Sequence, residues 1–237
     1  MSALNLIDVA VADRLAPVTL SLGPGQTVGL VGPNGSGKST LMQAAGGVLP
    51  HSGKVSWNDQ PLAKVPMMER GRMTAWVPQE AHFEFGFSVR SVVAQGRYAH
   101  GDDEQGIEDV LARFELTALA DRPVNHLSGG ERHRVLLARA LATGAPIQLW
   151  DEPLGPLDPR HALKVLALAD ELKRDGSTVV MSLHDLRVAY YLDQVVVLSH
   201  GKLQAVGKPH AVLTPELLRE VFGVEAEFVS SLILRLP

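Results

Sequence analysis

Eight consecutive residues, Gly32-Pro33-Asn34-Gly35-Ser36-Gly37-Lys38-Ser39, constrain the chain more than any other feature. They fit the pattern G-x-x-x-x-G-K-[ST]. Thr27 to Val31 (TVGLV) reads as a short buried strand leading into them, and Ser39 to Ala45 reads as a helix stopped by Gly46-Gly47. A glycine-rich loop in that setting lets successive backbone N–H groups point inward at phosphate oxygens, and the helix adds its positive N-terminus. Lys38 can then reach the β- and γ-phosphates of a nucleotide, and the Ser39 hydroxyl can ligate Mg²⁺. A chance match comes up roughly once in a hundred chains of this length. The strand-loop-helix setting argues against a mere glycine-rich turn.

The remaining pattern extends this into an α/β fold. Leu4 to Val11 and Val18 to Leu22 read as strands of a small N-terminal sheet, with Gly23-Pro24-Gly25 as a turn. Gly53 to Trp57 and Met73 to Val77 are further strands. From about Phe83 to Leu141 the pattern turns helical, with Ser88 capping a helix from Val89, apolar spacing over Ile107 to Phe114, and Ser128 opening another helix. Ile147 to Trp150, Ser177 to Leu183, Gln194 to Ser199 and Lys202 to Val206 read as strands. Asp158-Pro159 starts a helix running to Arg174, and Pro215 to Phe222 forms a terminal one. Strands alternating with helices predict a parallel sheet covered on both faces, with ligands at its carboxyl ends.

Composition excludes much else. The 237 residues are 46% hydrophobic and 20% charged, enough for a sizeable core. There is no cysteine, which removes disulfides, thiolate catalysis and Cys-based metal sites. A net charge of −4 gives no electrostatic footprint for nucleic acid. No run approaches the roughly 18 apolar residues of a membrane span, and Met1 to Asp13 does not read as a signal peptide. A cytoplasmic chain is expected, with any membrane role supplied by a partner.

Two further segments carry chemistry. Asp151 and Glu152 end the strand Ile147-Gln148-Leu149-Trp150. An Asp there can hold Mg²⁺, and an adjacent Glu can orient or deprotonate an attacking water. An isolated Asp-Glu pair would be two solvated acids; the strand before it and the phosphate loop reverse that reading. In Leu127-Ser128-Gly129-Gly130-Glu131, two glycines after a Ser cap leave helix N–H groups uncovered, a second phosphate-binding nest. One nucleotide does not need two such nests from one chain, whereas two copies packed head to tail would need both. A capped helix start explains the serine but not the glycines.

Over nearly its whole length, and with the motifs in the same order, the chain resembles the ATP-binding-cassette (ABC) ATPases. The resemblance implies a P-loop NTPase core with a mainly parallel sheet, an N-terminal antiparallel β subdomain and an inserted helical subdomain. Residues 1–237 would form one domain, with about 1–82 and 142–237 as catalytic core and about 83–141 as the helical subdomain carrying the signature motif. It also implies ATP and Mg²⁺ as ligands. The phosphate loop would be Gly32 to Thr40, the Q-loop glutamine Gln79 in Trp76-Val77-Pro78-Gln79, and the signature Leu127 to Glu131. Asp151 and Glu152 match the Walker B aspartate and the catalytic glutamate. Leu157-Asp158 matches the D-loop, and His184 in Ser182-Leu183-His184-Asp185 the switch histidine. Catalysis would fall to Glu152, His184, Gln79 and Lys38, and metal binding to Ser39, Gln79 and Asp151. A homodimer would sandwich ATP between Lys38 of one copy and Ser128, Gly129 and Gly130 of the other.

Three departures stand out. No Phe, Tyr or Trp precedes Trp57 where the family often stacks an aromatic on adenine; the local residues are Arg14 and Leu15. The D-loop reads Gly155-Pro156-Leu157-Asp158, and Gln148 interrupts the apolar Walker B strand. His100, Asp102 and Asp103 read as solvated loop charges rather than a metal site. Phe83, Phe85 and Phe87 fit either a half-buried extended segment or a groove receiving a helix of a membrane subunit.

The segment from Phe87 to Gly101 and the ending from Leu213 to Val224 resemble ATPases of importers for iron-siderophores, haem and vitamin B12. That implies polytopic permease subunits, indirect dependence on an external binding protein, no nucleic acid partner, and a place on the cytoplasmic face of a bacterial inner membrane. An exporter subunit and a soluble ABC ATPase acting on nucleic acid or ribosomes are the alternatives. The transported substrate is not legible.

Overall fold

The computed structural model describes residues 3–80, 83–101 and 103–227. The chain runs β1 (Leu4–Val11), β2 (Leu15–Leu22), β3 (Thr27–Val31), α1 (Lys38–Ala45), β4 (Ser52–Trp57), β5 (Gln60–Pro61), α2 (Met67–Met73) and β6 (Thr74–Val77). Helical segments follow: α3 (Val89–Ala94), α4 (Ile107–Arg113) and α5 (Gly129–Ala142). Then come β7 (Ile147–Trp150), α6 (Pro159–Arg174), β8 (Thr178–Ser182), α7 (Leu186–Ala189), β9 (Gln194–Ser199), β10 (Lys202–Gly207), α8 (Pro209–Val212) and α9 (Pro215–Phe222).

Two sheets form. One is antiparallel, in the order β2-β1-β4-β5. The other has the order β10-β9-β3-β8-β7-β6, with every pair parallel except the β9–β10 hairpin. The chain therefore has a mixed α/β architecture with a mainly parallel core sheet and a separate antiparallel one. Strands β3, β7 and β8 are buried along their whole length. Each strand feeds two cores by its period of two. Val180, Val196, Leu198 and Leu149 face the antiparallel sheet and α1. Val179, Met181, Val195, Val197 and Trp150 face α5 and α6. Burial on both faces is why these strands read as continuous apolar runs.

Helix starts follow the capping residues. Ser88 accepts from Ser91 N, Asp158 from His161 N and Thr214 from Leu217 N. Ser128 and Glu131 form a reciprocal capping box at the head of α5. Strand ends differ by one residue at β4, β8 and β10, and two further expectations need correction. β2 begins at Leu15 rather than Val18, because pairing with β1 extends to Leu15↔Val11 despite Pro17. Met73 ends a helix rather than starting a strand, and Met67–Met73 had no clear sequence signal. None of its residues is buried, so no apolar stripe could announce it. Gln148 is buried yet satisfied: its side-chain N–H donates to Ala145 O at 2.8 Å, and its oxygen accepts from the Trp150 indole at 3.1 Å. Asp102, one of the loop charges, lies outside the described residues, while Asp103 is held by Arg97 at 2.7 Å. Among the described residues, no helix is long and apolar enough to cross a membrane.

The segment after α4 is stitched to α6 by charge. Glu115 accepts from Lys164, from Arg160 at 3.1 Å and from His161 at 3.2 Å, and Arg113 pairs with Glu171 on α6. The Lys164 hydrogen bond is the main reason that the Glu115 carboxyl is lowered to about 2, against an ordinary 4.5. A carboxyl lowered on folding adds stability above its unfolded pKa, and that stability is lost as pH falls toward the folded value. These groups are partly exposed, so the contribution is about 1 kcal/mol or less. Glu115→Gln is therefore expected to lower the melting temperature at neutral pH. The gap from the parent should close as pH falls from about 4.5 to about 2, which circular dichroism melts across that range check.

Candidate functional site

The phosphate loop joins β3 to α1 at the carboxyl edge of the parallel sheet, and one position explains its composition. A Cβ on Gly32 would lie 2.1 Å from the Leu198 carbonyl oxygen and 2.6 Å from Ser36 Oγ, so no other residue fits. Gly37, at φ 100, caps α1 in a left-handed conformation without any side-chain hydrogen bond, leaving the first helical N–H groups free for an anion. The hairpin tip supports the loop from behind: Gly201 N donates to Ser36 O at 3.1 Å, and Ala16 N on β2 donates to Gly201 O at 2.8 Å. Ser36 Oγ is buried and has no hydrogen-bond partner among the described residues. An orphaned buried hydroxyl beside uncapped amides fits a loop built around a ligand. Asn34 and Gly35 are exposed at its rim, while Pro33, Ser39 and Thr40 are half-buried.

Lys38 is buried, and its ammonium donates to Gly32 O at 2.8 Å and to Pro33 O at 3.1 Å. Burial lowers its pKa, while the charges of Glu152 and Asp151 act the other way. The carboxylates at the end of β7 are thus within electrostatic reach of the loop lysine. Asp151 is nearly fully buried, and its N–H donates to Val77 O on β6 at 2.8 Å. Glu152 sits at φ 51, a left-handed conformation that costs energy outside glycine. The ring Nε2 of His184 lies 2.5 Å from Glu152 Oε1. Gln79 is exposed two residues beyond β6, whose end pairs with that of β7 through Val77↔Trp150. Phosphate loop, Asp151, Glu152 and His184 therefore meet at adjacent strand ends, with Gln79 beyond the neighbouring end.

The signature residues do not join them. Among the described residues, no hydrogen bond links Ser128 to Glu131 with the phosphate loop. Ser128 N donates to Glu131 Oε2 at 2.7 Å, and Glu131 N to Ser128 Oγ at 3.3 Å. The Ser128 backbone bond is the main reason that the Glu131 carboxyl is lowered. A Cβ on Gly129 would meet nothing within 4 Å, so that face of the helix start is open. Asp158 of the D-loop is engaged as the α6 cap.

Three features escaped sequence reasoning. Ser182 ends β8 fully buried; its Oγ donates to Asp151 Oδ1 at 2.6 Å and accepts from Glu152 N at 2.8 Å. The signal was a polar residue closing the apolar run Thr178–Ser182, two residues before His184. His133, buried on α5, donates from Nε2 to Pro153 O at 3.0 Å and so ties the signature helix to the segment after Glu152. An open cleft of ≈ 770 Å³ runs from Gly35 past Arg14 and Leu15, and His51 and His200 also line it. Two imidazoles and a guanidinium thus stand beside the loop where no Phe, Tyr or Trp occurs.

A family profile described as ABC transporter matches residues 15–155, more than half of the chain. The chain belongs to the ABC transporter family. It is 42% identical over 224 residues to a hemin import ATP-binding protein of Thermobifida fusca, covering 91% of this chain and 79% of that one. It is 39% identical over 225 residues to a cobalamin import ATP-binding protein of Halobacterium salinarum, covering 91% of this chain and 56% of that one. Among solved structures it is similar to an inward-facing metal-chelate type ABC transporter (TM-score 0.81, 27% identity, 95% of this chain and 90% of that one). It is also similar to a dimeric post-hydrolysis ATP-binding cassette bound to ADP and Pi (TM-score 0.78, 27% identity, 87% and 98%). The chain is accordingly an ATPase of the ABC type.

In this ABC ATPase, Lys38 is the one described lysine inside the loop, and its buried ammonium can exchange two carbonyl partners for phosphate oxygens. Lys38→Ala is expected to weaken ATP binding by about 100-fold or more, as loss of a charge-assisted contact to phosphate implies. Isothermal titration calorimetry measures this, and retained affinity would break the phosphate-loop reading.

Proposed function

We propose that this chain powers an ABC importer for a metal chelate, of the iron-siderophore, haem or cobalamin class. The observation carrying the reading is the alignment with a hemin import ATP-binding protein across 91% of this chain. The metal-chelate type transporter among its structural relatives supports it.

The residues fit both ligands. Ser39, Gln79 and Asp151 offer a hydroxyl, an amide oxygen and a carboxylate, a hard donor set suited to Mg²⁺. When bound, Mg²⁺ would neutralise charge on the β- and γ-phosphates. Gly32 to Thr40 would wrap the phosphates with backbone N–H groups, and Lys38 would neutralise charge developing in the transition state. Glu152 would hold a water in line with the γ-phosphate and take up its proton as the water oxygen bonds phosphorus. The bond to the ADP oxygen breaks, leaving ADP and phosphate. His184, against the Glu152 carboxylate, would orient that group and the γ-phosphate. The cleft of Arg14, His51 and His200 would receive the base. A second copy would supply Ser128, Gly129, Gly130 and Glu131 to the same ATP, and hydrolysis would let the pair open.

Transport would follow through permease subunits at the cytoplasmic face of a bacterial inner membrane, with an external binding protein acting on those subunits and no role for nucleic acid. Phe85 and Phe87 are exposed and pack edge to face with ring centroids 6.1 Å apart. They stand beyond Gln79, and we assign them to permease docking.

Glu152→Gln is expected to lower turnover by about 100-fold or more while ATP still binds and pairs two copies, since a base is lost but the phosphate contacts remain. Steady-state phosphate release and size-exclusion chromatography with ATP measure the two effects; normal turnover removes Glu152 from its role. The transport reading is tested by purifying the tagged chain from detergent-solubilised membranes of its host. A co-purifying polytopic permease is the expected result, and ribosomes or nucleic acid in its place would overturn it.

A further inference from the structure

We propose that Ser182 is a positioning residue that sets the Walker B acids, so that the end of β8 grips Glu152 at two points. The first grip is on the backbone. Ser182 Oγ accepts the Glu152 N–H at 2.8 Å, and the same hydroxyl donates to Asp151 Oδ1 at 2.6 Å. One hydroxyl thus uses its donor on one acid and its acceptor on the backbone of the next. The second grip is on the side chain, where His184 Nε2 meets Glu152 Oε1 at 2.5 Å. Ser182 and His184 are two residues apart at the same strand end.

Both partners need the contact. Ser182 is fully buried and Asp151 nearly so. A buried carboxylate oxygen without a donor is costly, and Ser182 supplies that donor to Oδ1. Glu152 lies at φ 51, a conformation its own side chain disfavours. The bond from its N–H to Ser182 holds that backbone, and Asp151 N is tied to Val77 O on the other side. Displacement of β8 relative to β7 would therefore carry the Glu152 backbone and carboxylate together. An apolar residue at 182 would leave only the His184 contact.

This rests on the reading of Glu152 as the group that orients water. The variants are Ser182→Ala, which removes the hydroxyl, and Ser182→Thr, which keeps it. Ser182→Ala is expected to lower kcat by about 10-fold or more, with KM for ATP and the Kd for ATP measured without Mg²⁺ within about 3-fold of the parent. Ser182→Thr should restore most of kcat. Hydrogen exchange at the Glu152 amide should accelerate by about 10-fold or more in Ser182→Ala, independently of turnover. The Ser182→Ala/His184→Ala pair should be less than multiplicative, because both residues act on one group. A kcat within 2-fold of the parent with unchanged Glu152 exchange would overturn the proposal. So would a loss matched by an equal loss of ATP affinity and not restored by Thr. If Glu152→Gln itself keeps turnover, the water-orienting reading fails first; if that variant is inactive while Ser182→Ala behaves as the parent, only the Ser182 assignment falls.

Discussion

The approach of Gly32 to the Leu198 carbonyl sets the geometry on which the site depends. With no Cβ at 32, the loop can lie against the end of β9, and the next turn, Gly201, can donate to Ser36 O. Ala16 on β2 donates in turn to Gly201 O, so two segments distant in sequence, the β9–β10 hairpin and β2, lock one phosphate loop. A methyl group at 32 would push the loop off β9 and undo that chain of bonds. Gly32 therefore answers to contact with the sheet behind, whereas Gly35 stands in open space at the rim and needs glycine only for its left-handed φ of 74.

The acids opposite the loop are held in a different way. Lys38 is buried enough for its charge to be disfavoured, and Glu152 and Asp151 offset only part of that cost. The arrangement is poised rather than saturated: the ammonium rests on two carbonyl oxygens, and Ser36 Oγ has no hydrogen-bond partner among the described residues. Phosphate oxygens would relieve both. Preorganised donors of this kind lose little when a charged ligand arrives, which is the condition for strong transition-state stabilisation.

The parts of the candidate site legible in the sequence are those whose residue types narrow the local backbone. Gly32 to Ser39, Ser128 to Glu131 and Asp158-Pro159 state their local geometry through glycine freedom and capping chemistry, and β3, β7 and β9 begin and end where their apolar runs do. What stayed hidden depends on contacts between distant positions. Ser182 is an ordinary strand-ending serine until β8 pairs with β7 and brings its hydroxyl to Asp151. Gln148 looked like a fault in an apolar strand until Trp150, two residues on and on the same face, supplied an indole N–H. α2 carried no legible pattern because it buries no side chain. His51 and His200 meet in a cleft only because the hairpin tip packs beside β2.

The two nests of the chain differ in what completes them. The one at Gly32 to Lys38 has a lysine and two acids within electrostatic reach. The one at Ser128 to Glu131 has an open helix start and, among the described residues, no hydrogen bond to Asp151 or Glu152, while its own carboxylate is spent on the Ser128 N–H in the capping box. Its position is nevertheless tied to the end of β7: His133 links α5 to Pro153, one residue past Glu152, and Glu115 with its cations links the segment after α4 to α6, which Asp158 caps. A shift of the signature helix would pull on the segment that follows Glu152. If two copies pair as proposed, a helix start that is open at Gly129 yet tied through α5 to the residue after Glu152 would sense a phosphate held by the other copy.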